Sequence, residues 1–174
     1  VNASGRPVLW DINQDGFDDI ILYDGTTFVV WINDANATHV RFHRNTTYDA
    51  IFPQTSYGDN VVFTFVDLND DEADELVVGN DTLHVYKYDH HEFQSTNEFF
   101  KNLTVASGLN KLSPTFRDVD QDGRIDMLVG LYADGENTTV DYYHNVGNRT
   151  HPKFLLDEMK NPYADTRGML NGAV

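Results

Sequence analysis

The sequence predicts an all-β fold built from a repeated unit of four short strands. Three observations lead to it. A nine-residue acidic loop recurs at Asp11, Asp67 and Asp118, at spacings of 56 and 51 residues. Each copy is preceded by an apolar or aromatic segment and followed at once by three apolar residues, so it sits in a tight connection between two strands. No long segment has a helical period; only Asn97–Leu109 could carry a short helix, which its pattern does not favour.

In the first repeat, Val8-Leu9-Trp10 leads into the loop and Ile20-Ile21-Leu22 follows it. A turn at Asp24-Gly25 then precedes the strand Thr27–Ile32, and a weaker fourth strand is expected at His39–Phe42. In the second repeat, Val62–Val66 precedes the loop and Leu76–Gly79 follows it. Thr82–Tyr88 alternates with Leu83 and Val85 on one face, and Glu98–Lys101 is the expected fourth strand. The third repeat reads Pro114–Phe116, loop, Met127–Gly130, turn at Asp134-Gly135, then Thr139–His144 and Lys153–Leu156.

Four short strands in about fifty residues is the blade of a β-propeller. The blades are expected at about 5–58, 59–110 and 111–158, with 159–174 a linker into a further blade. Closed rings usually take about four to eight blades. The chain is therefore expected to be a partial β-propeller, an arc of about three blades, and the remainder of its own propeller is its first expected partner. The start at Val1, without a Met or a leader, likewise suggests a processed or partial piece.

The loops carry the chemistry. Acidic or amide side chains fall at positions 1, 3, 5 and 9, glycine at position 6, and a backbone carbonyl at position 7 completes an oxygen shell. In the first loop the ligands are expected to be Asp11, Asn13, Asp15, the Phe17 carbonyl and Asp19. In the third they are Asp118, Asp120, Asp122, the Arg124 carbonyl and Asp126. The second offers Asp67, Asn69, Asp71, the Ala73 carbonyl and Glu75, but Glu72 replaces the glycine, so its turn is expected to be strained or reshaped. An all-oxygen set suits Ca2+ and argues against zinc. An EF-hand is excluded, since its position 12 needs a bidentate glutamate and here holds Leu22, Val78 or Val129. Close carboxylates repel by about 1–4 kcal/mol per pair depending on screening, so the ion is expected to act structurally. The plainer alternative is an acidic turn held by Asx-type hydrogen bonds.

The net charge of −16 is concentrated at these sites, for half of the 28 acidic residues lie in the three loops. Such a chain is a poor partner for nucleic acid or anionic membrane. Aromatics at 13% allow a packed core, and no run of 18 apolar residues is present to span a bilayer. Cysteine is absent. Acceptor sequons occur at Asn2, Asn36, Asn45, Asn80, Asn102, Asn137 and Asn148. Chance in a chain of this composition gives about two. Seven sites indicate the secretory route, and a location at the outer face of the cell membrane or beyond it.

The runs Asp11–Leu22, Asp67–Gly79 and Asp118–Leu131 resemble the FG-GAP or VCBS-type repeat, the calcium-bearing blade of integrin-α-like propellers. The resemblance extends to Tyr143–Asn148 and to Pro152-Lys153-Phe154. The lead-in Pro7–Asp11, a degenerate middle loop and then a full loop are similar to ectodomains of the T-cell immunomodulatory protein (linkin) group. Those are single-pass membrane proteins with a sequon-rich propeller implicated in cell adhesion. The resemblance therefore implies a non-enzymatic module that binds an extracellular or membrane protein. The alternative is a carbohydrate-binding propeller or polysaccharide-active enzyme domain, with a glycan ligand. Other candidates stay bland. The seven histidines, among them His90, His91 and His144, show no ligand spacing and are expected at surface or strand-edge positions. The five serines lack a nucleophile-elbow context. Phe99, Phe100, Tyr142 and Tyr143 are expected to pack between blades rather than form an exposed patch.

Overall fold

A computed structural model describes residues 6–34, 38–59, 61–101, 103, 111–132 and 139–159. Among them, twelve strands form three four-stranded antiparallel sheets, each a simple meander in chain order. The first sheet holds β1 (Val8–Trp10), β2 (Asp19–Tyr23), β3 (Phe28–Asn33) and β4 (Phe42–Arg44). The second holds β5 (Val62–Val66), β6 (Glu75–Gly79), β7 (Leu83–Asp89) and β8 (Glu92–Thr96). The third holds β9 (Lys111–Arg117), β10 (Asp126–Tyr132), β11 (Thr139–Asn145) and β12 (Phe154–Leu156). One short helix, α1 (Thr46–Asp49), is capped by Asn45, whose side chain accepts from the Thr47 N–H.

The first three strands of every repeat, and β12 of the third, fall close to where the residue pattern puts them; the fourth strands of the first two repeats differ. In the second repeat β8 is Glu92–Thr96, earlier than the expected Glu98–Lys101. The chain reverses tightly through His90 and His91, both at positive φ (47° and 69°), which is the type I′ geometry that turns a strand straight back on itself. In the first repeat β4 begins at Phe42, where the expected strand ended. Edge strands carry little apolar periodicity, so turn geometry fixes their position. Residues 160–174 of the expected linker, and Asn2, Asn36, Asn102 and Asn137, lie outside the described residues.

The chain divides into two compact units, Val1–Val61 with Tyr88–Gln94, and Val62–Lys87 with Ser95–Val174. The first unit has an aromatic core. Phe28 stacks on Phe52 with ring centroids 4.8 Å apart, Phe52 on Phe93 at 5.2 Å, and Tyr23 meets Phe28 edge-on at 5.3 Å. Asp49 of α1 ties this unit together, accepting from the Val30 N–H at 3.0 Å and pairing with the Arg44 guanidinium.

In the second unit, Leu68, Val77, Val85, Phe99, Leu112, Met127, Val129, Leu131, Tyr143 and Phe154 form one buried cluster. Phe99 and Tyr143 thus pack in the interior as expected, and Tyr142 is buried as well. The central strand β6 is buried along its whole length. Its last residue, Gly79, lies against β9 so closely that a Cβ there would overlap the Leu112 carbonyl and the Pro114 ring. The Leu112 N–H donates to the Asn80 carbonyl at 2.6 Å beside this contact. Gly79→Ala must therefore push backbone from backbone and should destabilise the protein by about 2–3 kcal/mol. Gly130→Ala meets nothing closer than the Ser113 Cβ at 3.4 Å and should cost under about 1 kcal/mol. Urea denaturation of the two variants checks the difference.

Candidate cation loops

The three acidic loops share one hydrogen-bonded shape. At position 1, Asp11 accepts from the N–H groups of Asp15 (3.0 Å) and Gly16 (2.8 Å). Asp67 does the same for Asp71 (3.2 Å) and Glu72 (2.9 Å), and Asp118 for Asp122 (3.1 Å) and Gly123 (2.9 Å). At position 5, Asp15, Asp71 and Asp122 accept from the N–H groups of Phe17, Ala73 and Arg124 at 2.9–3.0 Å. These bonds anchor the peptide units at position 7, whose carbonyls the residue pattern assigns as ligands. Position 4 is left-handed in every loop, at Gln14, Asp70 and Gln121, and so is position 6, at Gly16, Glu72 and Gly123. The second loop is therefore strained and not reshaped: Glu72 holds the glycine conformation at φ 67°. A side chain there costs on the order of 1–2 kcal/mol.

At position 9 the acids turn inward. Asp19 and Asp126 are fully buried and Glu75 is nearly so. Each accepts the N–H of loop position 2, from Ile12 (3.0 Å), Leu68 (2.8 Å) and Val119 (3.1 Å) respectively. Asp19 and Asp126 also accept from the third strand, through the N–H groups of Asn33 (2.7 Å) and Asn145 (2.8 Å). One carboxylate thus clamps the loop start and two neighbouring strands. Burial pushes the Asp19 carboxyl above its ordinary range, against the two backbone hydrogen bonds, with Asp15 and Asp11 adding to the rise. Burial likewise lifts Glu75 to about 7; the Leu68 N–H and Lys87 oppose it, and Asp71 and Asp67 reinforce it.

The third loop has partners that the residue pattern did not assign. The strand register (Met127 opposite Tyr143) brings His144 opposite Asp126. His144 Nδ1 lies 3.2 Å from Asp126 Oδ1 and 3.5 Å from Asp120 Oδ2, with its side chain only 13% exposed. His144 is thus no bland surface residue. The signal was its place one residue before Asn145, which is legible only once the strands are paired. The Tyr142 hydroxyl donates to Asp126 Oδ2 at 2.9 Å, and burial, with that carboxylate beside it, raises the phenol pKa.

The donors fit a hard cation. One oxygen each from Asp118, Asp120 and Asp122 lie within 4.8 Å of one another. A Ca2+ ion with bonds of about 2.4 Å spans about the same distance across its shell. In the first two loops an amide takes position 3, and Asn13 and Asn69 donate to Asp15 and Asp71 at 2.9 and 2.8 Å. Their amide oxygens accept from the N–H groups of Asp15 and Asp71, so those oxygens would have to turn to reach an ion. Outside the loops, the side chains of Asn45, Asn80 and Asn148 each accept the N–H of the threonine two residues on, at 3.0 Å. That bond uses Oδ1; a glycan would attach through Nδ2.

Compared with known proteins, the chain matches no protein-family model, no curated protein and no solved structure.

The raised Glu75 pKa has a pH consequence in the absence of divalent ions. The group binds its proton more tightly when folded (about 7) than when unfolded (4.5), so its stabilising share is complete below pH 4.5 and is lost as pH rises through 7. The loss amounts to on the order of 3 kcal/mol. Glu75→Gln, measured beside the wild type by urea denaturation in chelator from pH 4 to 8, should remove this part of the slope.

Proposed function

We propose that the chain is an arc of a calcium-stabilised β-propeller, acting as a non-enzymatic extracellular module that binds a protein partner. The observation that carries this reading is the position-9 carboxylate. In all three loops it is buried and bonded to the backbone N–H of loop position 2. An acid so placed pins a hairpin and is withdrawn from any substrate. The cations then belong to the scaffold, and recognition falls to the surfaces between the loops. Three successive four-stranded meanders, two of them packed through one core, support the propeller reading. The sequons at Asn45, Asn80 and Asn148 support the secretory one, each being partly or fully exposed. Among the described residues no helix is long and apolar enough to cross a membrane.

Calcium should raise the melting temperature and chelator should lower it. Asp122→Ala should remove most of the sensitivity contributed by the third loop, and a melting curve indifferent to both would leave the loops as plain turns. Probing the glycosylated protein against a library of cell-surface proteins and a glycan array tests the partner. Saturable binding to a protein supports the adhesion reading; sugar-specific binding alone would replace it with the lectin-like one.

A further inference from the structure

The residue opposite the position-9 acid differs in each sheet. Strand register gives Ile32 opposite Asp19, Lys87 opposite Glu75 and His144 opposite Asp126. An isoleucine offers no donor and a lysine repels a cation. An imidazole nitrogen is a good ligand for divalent transition ions and a poor one for calcium. The three loops are therefore not chemically equivalent, although their backbones are.

We propose that Asp120, Asp126 and His144 form a mixed nitrogen–oxygen site for a divalent transition ion of the zinc or manganese kind. Their donor atoms lie within 4.8 Å of one another, and His144 Nδ1 is 3.2 and 3.5 Å from the two carboxylate oxygens. Around an ion with bonds of about 2.1 Å, tetrahedral neighbours are about 3.4 Å apart. The His144 nitrogen already stands at about that spacing from both carboxylates. Asp126 is held in place by the Tyr142 hydroxyl and by the N–H groups of Val119 and Asn145, the kind of outer shell that orients a metal carboxylate. The exposed Asp120 completes the set from the solvent side. Asp120 also belongs to the Asp118–Asp120–Asp122 group, so a transition ion here competes with the hard cation of the loop. Asp126, at position 9, is likewise shared with the calcium reading, and the inference rests on that reading only through these two residues.

The test titrates Zn2+ into the full chain and into His144→Gln by calorimetry, and records the Mn2+ electron spin-echo spectrum of the wild type. We expect His144→Gln to weaken Zn2+ by about tenfold or more, as loss of a metal partner does. We also expect 14N modulation from a bound imidazole on Mn2+, weaker zinc binding in excess Ca2+, and calcium-induced stabilisation that is unchanged in the variant. Equal zinc affinity in the two proteins, or no nitrogen modulation, overturns the proposal. So does an adventitious ion only, seen as zinc binding that survives His144→Gln and is lost on replacing His90 and His91. The spin-echo measurement needs no variant and decides the matter if His144→Gln folds poorly. Calcium binding without zinc binding would sink this inference and leave the proposed function; zinc binding without calcium binding would do the reverse.

Discussion

Each sheet depends on a buried carboxylate at the end of its acidic loop. Asp19, Glu75 and Asp126 sit where a hairpin leaves its loop, and each satisfies a backbone N–H at the start of that loop. Burying a charged carboxylate is expensive, and two or three hydrogen bonds recover only part of the cost. The raised pKa values of Asp19 and Glu75 are the remainder of that cost. The divalent cation proposed for the loop would offset that cost, because it would bring positive charge to the carboxylates without occupying core volume. The acids are thus the staple of the hairpin and, on the proposed reading, the charge an ion in the loop would offset.

The three sheets answer this constraint differently. The first faces its acid with Ile32 and relies on two backbone bonds. The second lengthens the acid to Glu75 and places Lys87 opposite, so part of the charge is met from within the protein. That loop also holds Glu72 in a left-handed conformation where the other two have glycine. The third surrounds Asp126 with Tyr142, His144 and Asn145, so three polar groups face one acid. One backbone shape therefore carries three electrostatic environments.

A second device joins the loops of the second unit. Arg149 donates from Nε to the Gly123 carbonyl at 2.7 Å and reaches Asp70 of the second loop at 3.7 Å. Both groups of that ion pair are well exposed, so the pair contributes little by itself. Closer packing comes from Gly79 against Leu112, where the absence of a side chain lets two sheets share one core.

Much of this was legible in the residues. Apolar triplets behind each acidic loop located β2, β6 and β10, because a central strand must be apolar whatever surrounds it. The loop shape was legible too, since alternate acids and a glycine at position 6 leave the backbone few options. Of the fourth strands only β12 was legible: β8 is an edge strand placed by a two-residue turn at His90-His91, and neither feature leaves an apolar period. Nor was the role of His144 visible, for its distance from Asp120 and Asp126 along the chain says nothing of the register that brings them together. By itself the sequence determined which segments pair locally and where negative charge gathers, because hydrophobic alternation and carboxylate spacing are local. The tertiary structure alone decided which acids are buried and what faces them, because burial and cross-strand neighbours arise only when distant strands meet.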